Sequence, residues 1–321
     1  MVGWKGNIAK ITVPTPFSVG DVHLYIVRGD SLTLIDAGVK TKEAWKAFAF
    51  QLSQLGYTPE DIDQVVLTHH HPDHIGFLDW LPDEVKIHGH PYNQKWLTND
   101  KAFFEHHDQF YLQLFQEFGL SGDFHQLLFK MKASLKYNSQ RPQTSNIQEG
   151  DIIGGFEDWQ TIETPGHAQS HLVFYREKDG TLLAGDHVLA TISSNPLLEP
   201  PLKIDAKRPK PQLQYNQSLK RLLNYDIRQT FTGHGPEVRN IHALIEQRIA
   251  RQRERALQVR EMVKGKQMTT FDICKKLFPD VYRKELGLTL SETTAQLDYL
   301  LSVDLVEKNV AADNIAYFTA K

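Results

Sequence analysis

Residues 68–74 read Thr-His-His-His-Pro-Asp-His, directly behind the apolar, β-branched run Ile62-Asp-Gln-Val-Val-Leu67. That run has the composition of a buried strand, so the histidines fall where a strand gives way to a loop and then a helix. An α/β sheet presents its chemistry at such a place. Within the heptapeptide, His69, His71, Asp73 and His74 follow an H-x-H-x-D-H spacing. Imidazole and carboxylate are ligands that borderline-soft and hard divalent metals share. On such a turn His69 and His71 can point to one centre while Asp73 and His74, just beyond Pro72, point to another. The spacing predicts two adjacent metal ions.

The rest of the chain frames that turn. Residues 7–37 carry strand patterns, with Val22–Val27 and Ser31–Ile35 forming a hairpin that ends in Asp36-Ala-Gly38. Residues 41–55 have apolar side chains at helical spacing, and Gly56 suits a C-cap. This β, α, β-turn-α order predicts layered α/β architecture. Residues 92–140 break the rhythm with eight aromatic side chains between Phe103 and Phe129 at helical spacings, predicting a helical insertion. It suits a subdomain with its own small core, a lid over an active site, or both. Strand patterns resume at 159–163, 172–175 and 181–184, and 195–213 reads as a Pro-rich loop.

From Pro236 onward an apolar stripe of Ile241, Leu244, Ile245, Ile249, Ala256, Val259 and Val263 predicts a helix. Its other side carries Arg248, Arg251, Arg253, Arg255 and Arg260, and Gly265 ends it. Thr269-x-x-Asp272 and Thr289-x-x-Glu292 look like capping boxes opening two further helices. A hairpin pattern around the polar tip 309–314 completes a winged-helix arrangement. The expected division is a catalytic domain over 1–240 and a helical linker plus winged-helix-like domain over 241–321.

Further ligands sit behind three other apolar strands, each beside glycine. His167 lies in Thr164-Pro-Gly-His167, Asp186 in Leu-Leu-Ala-Gly-Asp186, and His234 in Thr232-Gly-His-Gly235. A carboxylate at 186 can bridge two cations, one oxygen to each. The ordered set Asp36, His69 to His74, His167, Asp186 and His234 resembles the five motifs of the metallo-β-lactamase superfamily, over roughly residues 7–240. The resemblance implies a four-layer αββα sandwich with metals at one sheet edge. It implies that His69, His71 and His167 hold one metal, that Asp73, His74 and His234 hold the second, and that Asp186 bridges. Asp36 is then a residue behind the ligands that orients their loop. The C-terminal region further resembles the winged-helix appendage of one hydrolase branch of this superfamily, the glyoxalase-II-like branch. The remaining histidines, His23, His70, His88, His90, His106, His107, His125, His171, His187 and His242, are expected to be solvent-facing or hydrogen-bonded structural groups.

Water shared by two divalent cations yields hydroxide near neutral pH, so hydrolysis by direct attack of metal-bound hydroxide is expected. Asp186 bridges in that scheme and Asp73 accepts the proton. Zinc is the first choice of metal, and iron or manganese fits the same ligands. A small acyl ester, thioester or lactone, is the leading substrate class; an endoribonuclease or phosphodiesterase of the same fold is the alternative. Against the alternative, Lys and Arg are absent between Lys284 and Lys308, while Glu285, Glu292, Asp298, Asp304 and Glu307 are present. A third, non-catalytic reading makes the appended domain a dimerisation element and the metals structural, but structural zinc sites are usually closed, four-ligand and Cys-rich. The 40% hydrophobic content and net charge of -3 are those of an ordinary soluble protein. They make no overall case for a nucleic-acid or membrane partner. With Cys274 alone, no intrachain disulfide can form. No signal-peptide pattern opens the sequence, and no apolar run approaches the ~20 residues that cross a bilayer, so a cytoplasmic location is expected.

Overall fold

The computed structural model describes residues 2–122, 124–203 and 206–321. It separates into two compact units that do not follow chain order. One comprises residues 1–100, 134–194 and 221–242; the other comprises 101–133, 195–220 and 243–321.

The first unit is built on two sheets. In the larger, β1 (Trp4–Lys5), β2 (Ile8–Val13), β3 (Val22–Arg28), β4 (Leu32–Ile35), β5 (Gln64–Val66), β6 (Lys86–Gly89) and β7 (Ser145–Asn146) lie side by side in that order. Pairing is antiparallel up to β4, as hairpin connections allow, and parallel from β4 onward. The smaller sheet has the order β11 (Gln229–Phe231), β10 (Thr181–Leu183), β9 (Leu172–Arg176), β8 (Gln160–Glu163).

Side chains along the large sheet alternate between two cores because successive Cβ atoms point to opposite faces. Ala9, Ile11, Leu24, Ile26, Leu34 and Val65 pack with Ala44, Phe48 and Leu52 of α1 (Lys42–Gln54). Ile8, Tyr25, Val27, Ile35 and Val66 pack instead against Leu172, Phe174, Leu183 and Phe231 of the second sheet. A sheet buried on both faces needs near-continuous apolar strands, which explains why β3, β4 and β5 do not alternate in polarity. Helix α1 starts where expected: the Thr41 hydroxyl accepts the Ala44 N–H, and Gly56 takes a positive φ of 85° just past the end. Two short helices, α2 (Pro72–Ile75) and α3 (Pro91–Leu97), complete the part of this unit that matters for the site.

The second unit is mainly helical, with one three-stranded sheet. The aromatic insertion forms α4 (Lys101–Glu117) and α5 (Phe124–Met131). Phe110, Phe115, Phe118 and Leu128 pack with Leu198, Cys274 and Leu290, so these aromatics serve a core of their own. Helix α6 (Pro211–Leu222) begins inside the stretch expected to be loop, because Pro211 opens the helix at a position where no N–H is needed. Helix α7 (Ile241–Met262) buries Ile241, Ile245, Ala256 and Val259 as expected, but Arg248 is buried too rather than on the solvated side.

Then follow β12 (Met268–Thr269), α8 (Thr270–Leu277), α9 (Leu286–Ser302), β13 (Val306–Val310) and β14 (Ala316–Ala320), with the strands in the order β12-β14-β13. Thr269 caps α8 as expected, accepting from the Asp272 N–H. Thr289 does not open α9: the helix starts at Leu286, and the Thr289 hydroxyl donates back to the Glu285 carbonyl.

Helix α9 is unusual in burying polar side chains, among them Ser291, Thr293, Gln296 and Asp298. Several of them hold the segment at 195–211. The Leu198 N–H donates to the Ser291 hydroxyl, and Arg208 grips Asp298 through two hydrogen bonds of 2.8 and 2.7 Å. Arg208→Met should therefore destabilise the chain by about 3 kcal/mol, because it strands a buried carboxylate. Denaturant unfolding reads this, and the double variant Arg208→Met/Asp298→Leu should recover most of the loss. An unshifted midpoint in the single variant would show that the pair contributes nothing.

Candidate metal centre

The seven sequence-predicted ligands all lie just past strand ends, and the topology gathers those ends. Strands β4 and β5 are parallel, so Asp36 and the 68–74 turn leave the large sheet on one side. In the small sheet β8, β10 and β11 run in the same sense, since β9 is antiparallel to both β8 and β10 while β10 and β11 are parallel. Their C-terminal ends deliver His167, Asp186 and His234 to one edge. The edges of the two sheets are tied by backbone contacts: Leu172 N–H to Thr68 O at 2.8 Å, and His23 N–H to Gly233 O at 2.7 Å.

All seven groups come together. Ligand atoms of His69, His71 and His167 lie within 4.8 Å of one another, as do those of His69, His74 and Asp186, and those of Asp73, His74 and His234. His69 Nε2 and His71 Nδ1 are 2.9 Å apart. Asp186 sits between the imidazoles. Its Oδ1 is 3.5 Å from His74 Nε2, and its Oδ2 is 3.4 Å from His234 Nε2 and 3.6 Å from His167 Nε2. Asp73 Oδ2 is 3.3 Å from His234 Nε2.

The groups behind the ligands set which nitrogen faces inward. Asp36, held at a positive φ of 61° that Asp tolerates better than most residues, accepts three hydrogen bonds. Its Oδ1 takes the Thr68 N–H at 2.7 Å; its Oδ2 takes the Thr68 hydroxyl and His74 Nδ1–H, each at 2.8 Å. Because the Thr68 hydroxyl proton goes to Asp36, Thr68 Oγ1 accepts from His69 Nδ1 at 2.9 Å. That leaves His69 Nε2 and His74 Nε2 for the centre. The Asp21 carbonyl does the same for His234, accepting its Nδ1–H at 2.7 Å. Such outer partners fix tautomer and ring orientation in metal-ligating histidines.

A glycine completes the packing. A Cβ on Gly233 would lie 2.1 Å from Asp186 Oδ1, so only glycine lets the 232–235 turn pass beneath that carboxylate.

Charge and polarity test whether cations belong here. His74 Nε2, His234 Nε2 and Asp186 Oδ1 are buried and make no hydrogen bond. Buried polar atoms of this kind need a partner. Burial alone would lower the pKa of His74, but Asp186, Asp36 and Asp73 overcome it and raise it well above the ordinary value. The same competition lifts His234 to about 10, with Asp186 and Asp73 again outweighing burial. Burial would raise Asp186, yet His234 and His74 hold it well below the usual carboxylate range. His69 is pushed well below its usual value, first by burial and then by His74 and His71. A pocket of carboxylates that draws protons onto its own imidazoles is one that positive charge suits. The donor set fits two divalent cations.

Two histidines expected to be structural touch the ligands. His70 stacks on Trp96 of α3 with ring centroids 4.5 Å apart and hydrogen-bonds Ser170. His171 stacks on His69, centroids 4.9 Å apart. Only the spacing His167-x-x-x-His171 marked the second of these in the sequence.

A family model described as the metallo-beta-lactamase superfamily matches residues 18–234. The "Probable metallo-hydrolase YqjP" of Bacillus subtilis (strain 168) is 43% identical over 98% of this chain and 98% of its own length. The "Beta-lactamase-like protein 2 homolog" of Caenorhabditis elegans is 22% identical over 94% of this chain and 82% of its own. Among solved structures, a metallo-beta-lactamase family protein from Thermus thermophilus superposes with a TM-score of 0.81 at 23% identity, covering 98% of this chain and 99% of that one. With the model spanning more than half the chain, and a relative of that identity spanning nearly all of it, this protein is a metallo-hydrolase of the metallo-beta-lactamase superfamily.

Proposed function

We propose that the protein is a dinuclear metal-dependent hydrolase of a small acyl ester, a thioester or a lactone. The observation that carries the dinuclear reading is the convergence of His69, His71, Asp73, His74, His167, Asp186 and His234, with the Asp186 carboxylate set amid the imidazoles of His74, His167 and His234. His69, His71 and His167 would hold one cation, Asp73, His74 and His234 the other. Zinc is favoured by imidazole and carboxylate donors, with iron or manganese suited to the same set. Bound there, two divalent cations would polarise a carbonyl oxygen and acidify water to supply the nucleophile near neutral pH.

The chain's own groups do the rest. Asp186 holds the halves of the site in register, Asp36 and Thr68 keep His69 and His74 turned inward, and Asp73 is placed to hold a transferred proton at Oδ1 or Oδ2. Among the described residues the one cysteine, Cys274, is buried in the second unit, and with water as the nucleophile no Ser or Cys nucleophile is needed.

The choice of ester over phosphodiester rests on α9. The order β12, α8, α9, β13, β14 supports a winged-helix-like module of the kind appended to a glyoxalase-II-like branch. In that module α9 would be the helix that enters a nucleic-acid groove. Yet α9 has ten buried residues, its Asp298 is occupied by Arg208, and Arg255 of α7 is paired with Glu292. Phosphate tracking needs the opposite, an open and basic face. Among the described residues no helix is long and apolar enough to cross a membrane.

The test is a panel: metal-replete protein against aryl esters, thioesters, lactones and single-stranded RNA. Turnover of a thioester or lactone with RNA left intact is expected. RNA cleavage that falls steeply with salt, without acyl turnover, would replace this reading with the phosphodiesterase one.

A further inference from the structure

We propose that His171 is a positioning residue: it holds the Asp186 backbone through its ring nitrogen while stacking on His69, and so fixes how the carboxylate meets the neighbouring imidazole. This rests on the dinuclear reading above. Three ligand-bearing loops meet on this one ring. His171 Nε2 accepts the Asp186 N–H at 3.2 Å. The plane of the ring is tilted only 26° from that of His69. Nδ1 lies 3.0 Å from Thr164 Oγ1, at the start of the turn that carries His167.

The backbone joins in. Thr164 N–H donates to His171 O at 2.8 Å, and His171 N–H donates to Ala168 O at 3.3 Å, closing the turn around Pro165, Gly166 and His167. Every direction in this network is fixed by one donor that cannot reverse. A backbone N–H only donates, so Nε2 of His171 carries no proton. The ring proton then sits on Nδ1 and donates to Thr164 Oγ1. With 1% of its surface exposed, the ring has no room to rotate out of that arrangement.

Asp186 is pinned at both ends of its peptide, since the Ser194 hydroxyl donates to its carbonyl. The carboxylate therefore projects from a backbone that His171 sets, toward an imidazole that the same ring supports. A group with these contacts acts on the geometry of the ligands without being one of them.

The test compares His171→Leu, which keeps the bulk and loses both hydrogen bonds, with His171→Gln, whose amide oxygen can still accept the Asp186 N–H. Thr164→Val is the third variant; it keeps His171 and removes the hydroxyl that faces Nδ1 and also reaches the His171 carbonyl at 3.5 Å. Zn²⁺ affinity is measured on the full chain by competition with a chelator, beside the melting temperature of the metal-free protein. The Leu variant should bind zinc about ten- to hundredfold more weakly, the scale set by outer-sphere partners. The Gln variant should recover most of that loss, and Thr164→Val should fall between. Wild-type affinity in the Leu and Thr164→Val variants, or equal losses in Leu and Gln, would overturn the proposal. Wild-type protein that takes up no zinc at all would overturn the metal-centre reading itself.

Discussion

Asp186→Asn is expected to cut turnover about a thousandfold, equivalent to about 4 kcal/mol of transition-state stabilisation, while leaving the fold close to intact. Asn has the shape of Asp, and the contacts that hold residue 186 are made by its backbone, to His171 and Ser194. What changes is charge. The carboxylate lies within 3.6 Å of imidazole nitrogens from His74, His167 and His234, and an amide offers one oxygen where the proposed bridge would use two. Turnover on the best substrate of the panel, bound-metal content and circular dichroism read the three parts of this expectation. Wild-type rate with wild-type metal content would show that Asp186 does not bridge.

The second large effect is expected at Asp36. Asp36→Ala removes the acceptor of three buried hydrogen bonds, and each stranded donor costs about 1–3 kcal/mol. The consequence reaches the site through tautomers. Without Oδ2, nothing directs the Thr68 hydroxyl away from His69 Nδ1, and nothing holds the proton of His74 on Nδ1. Metal affinity should drop about ten- to hundredfold alongside the stability loss. The backbone at residue 36 adds strain for Ala, roughly 1–2 kcal/mol at positive φ. Asp36→Asn separates the two effects, since Asn tolerates that φ but brings one oxygen and a competing N–H₂. Denaturant unfolding and chelator competition on both variants check this. Undiminished metal affinity in both would remove Asp36 from the account.

What was legible in the sequence follows from how locally each feature is determined. The ligand turns could be read because each couples an apolar strand to Gly or Pro and to metal-binding side chains, four in the 68–74 turn and one in each of the others, a pattern complete within about ten residues. Asp36 was reached through the family resemblance, and the three hydrogen bonds it accepts from Thr68 and His74 became visible only in three dimensions. His171 escaped because its role depends on residues 69 and 186, far away in sequence. The spacing from His167 singles the residue out but says nothing of those two partners.

Helix boundaries failed where two local signals compete. Pro211 reads as part of a Pro-rich loop until it is recognised as the first residue of α6, and Thr289 reads as a cap although its hydroxyl bonds backward inside α9. Arg248 belonged by type to a solvated face, yet it lies on the buried stripe of α7. The insertion's aromatics were legible as helical and numerous. That Phe110, Phe115 and Phe118 fill a core with Cys274 and Leu290 was a matter of long-range packing.

The central claim is settled most directly by anomalous diffraction from crystals of zinc-loaded protein. Two peaks are predicted, one within coordination distance of His69, His71 and His167, the other of Asp73, His74 and His234, with Asp186 between them. Zinc found elsewhere on the chain, or those seven side chains in place with no anomalous signal among them, would contradict it.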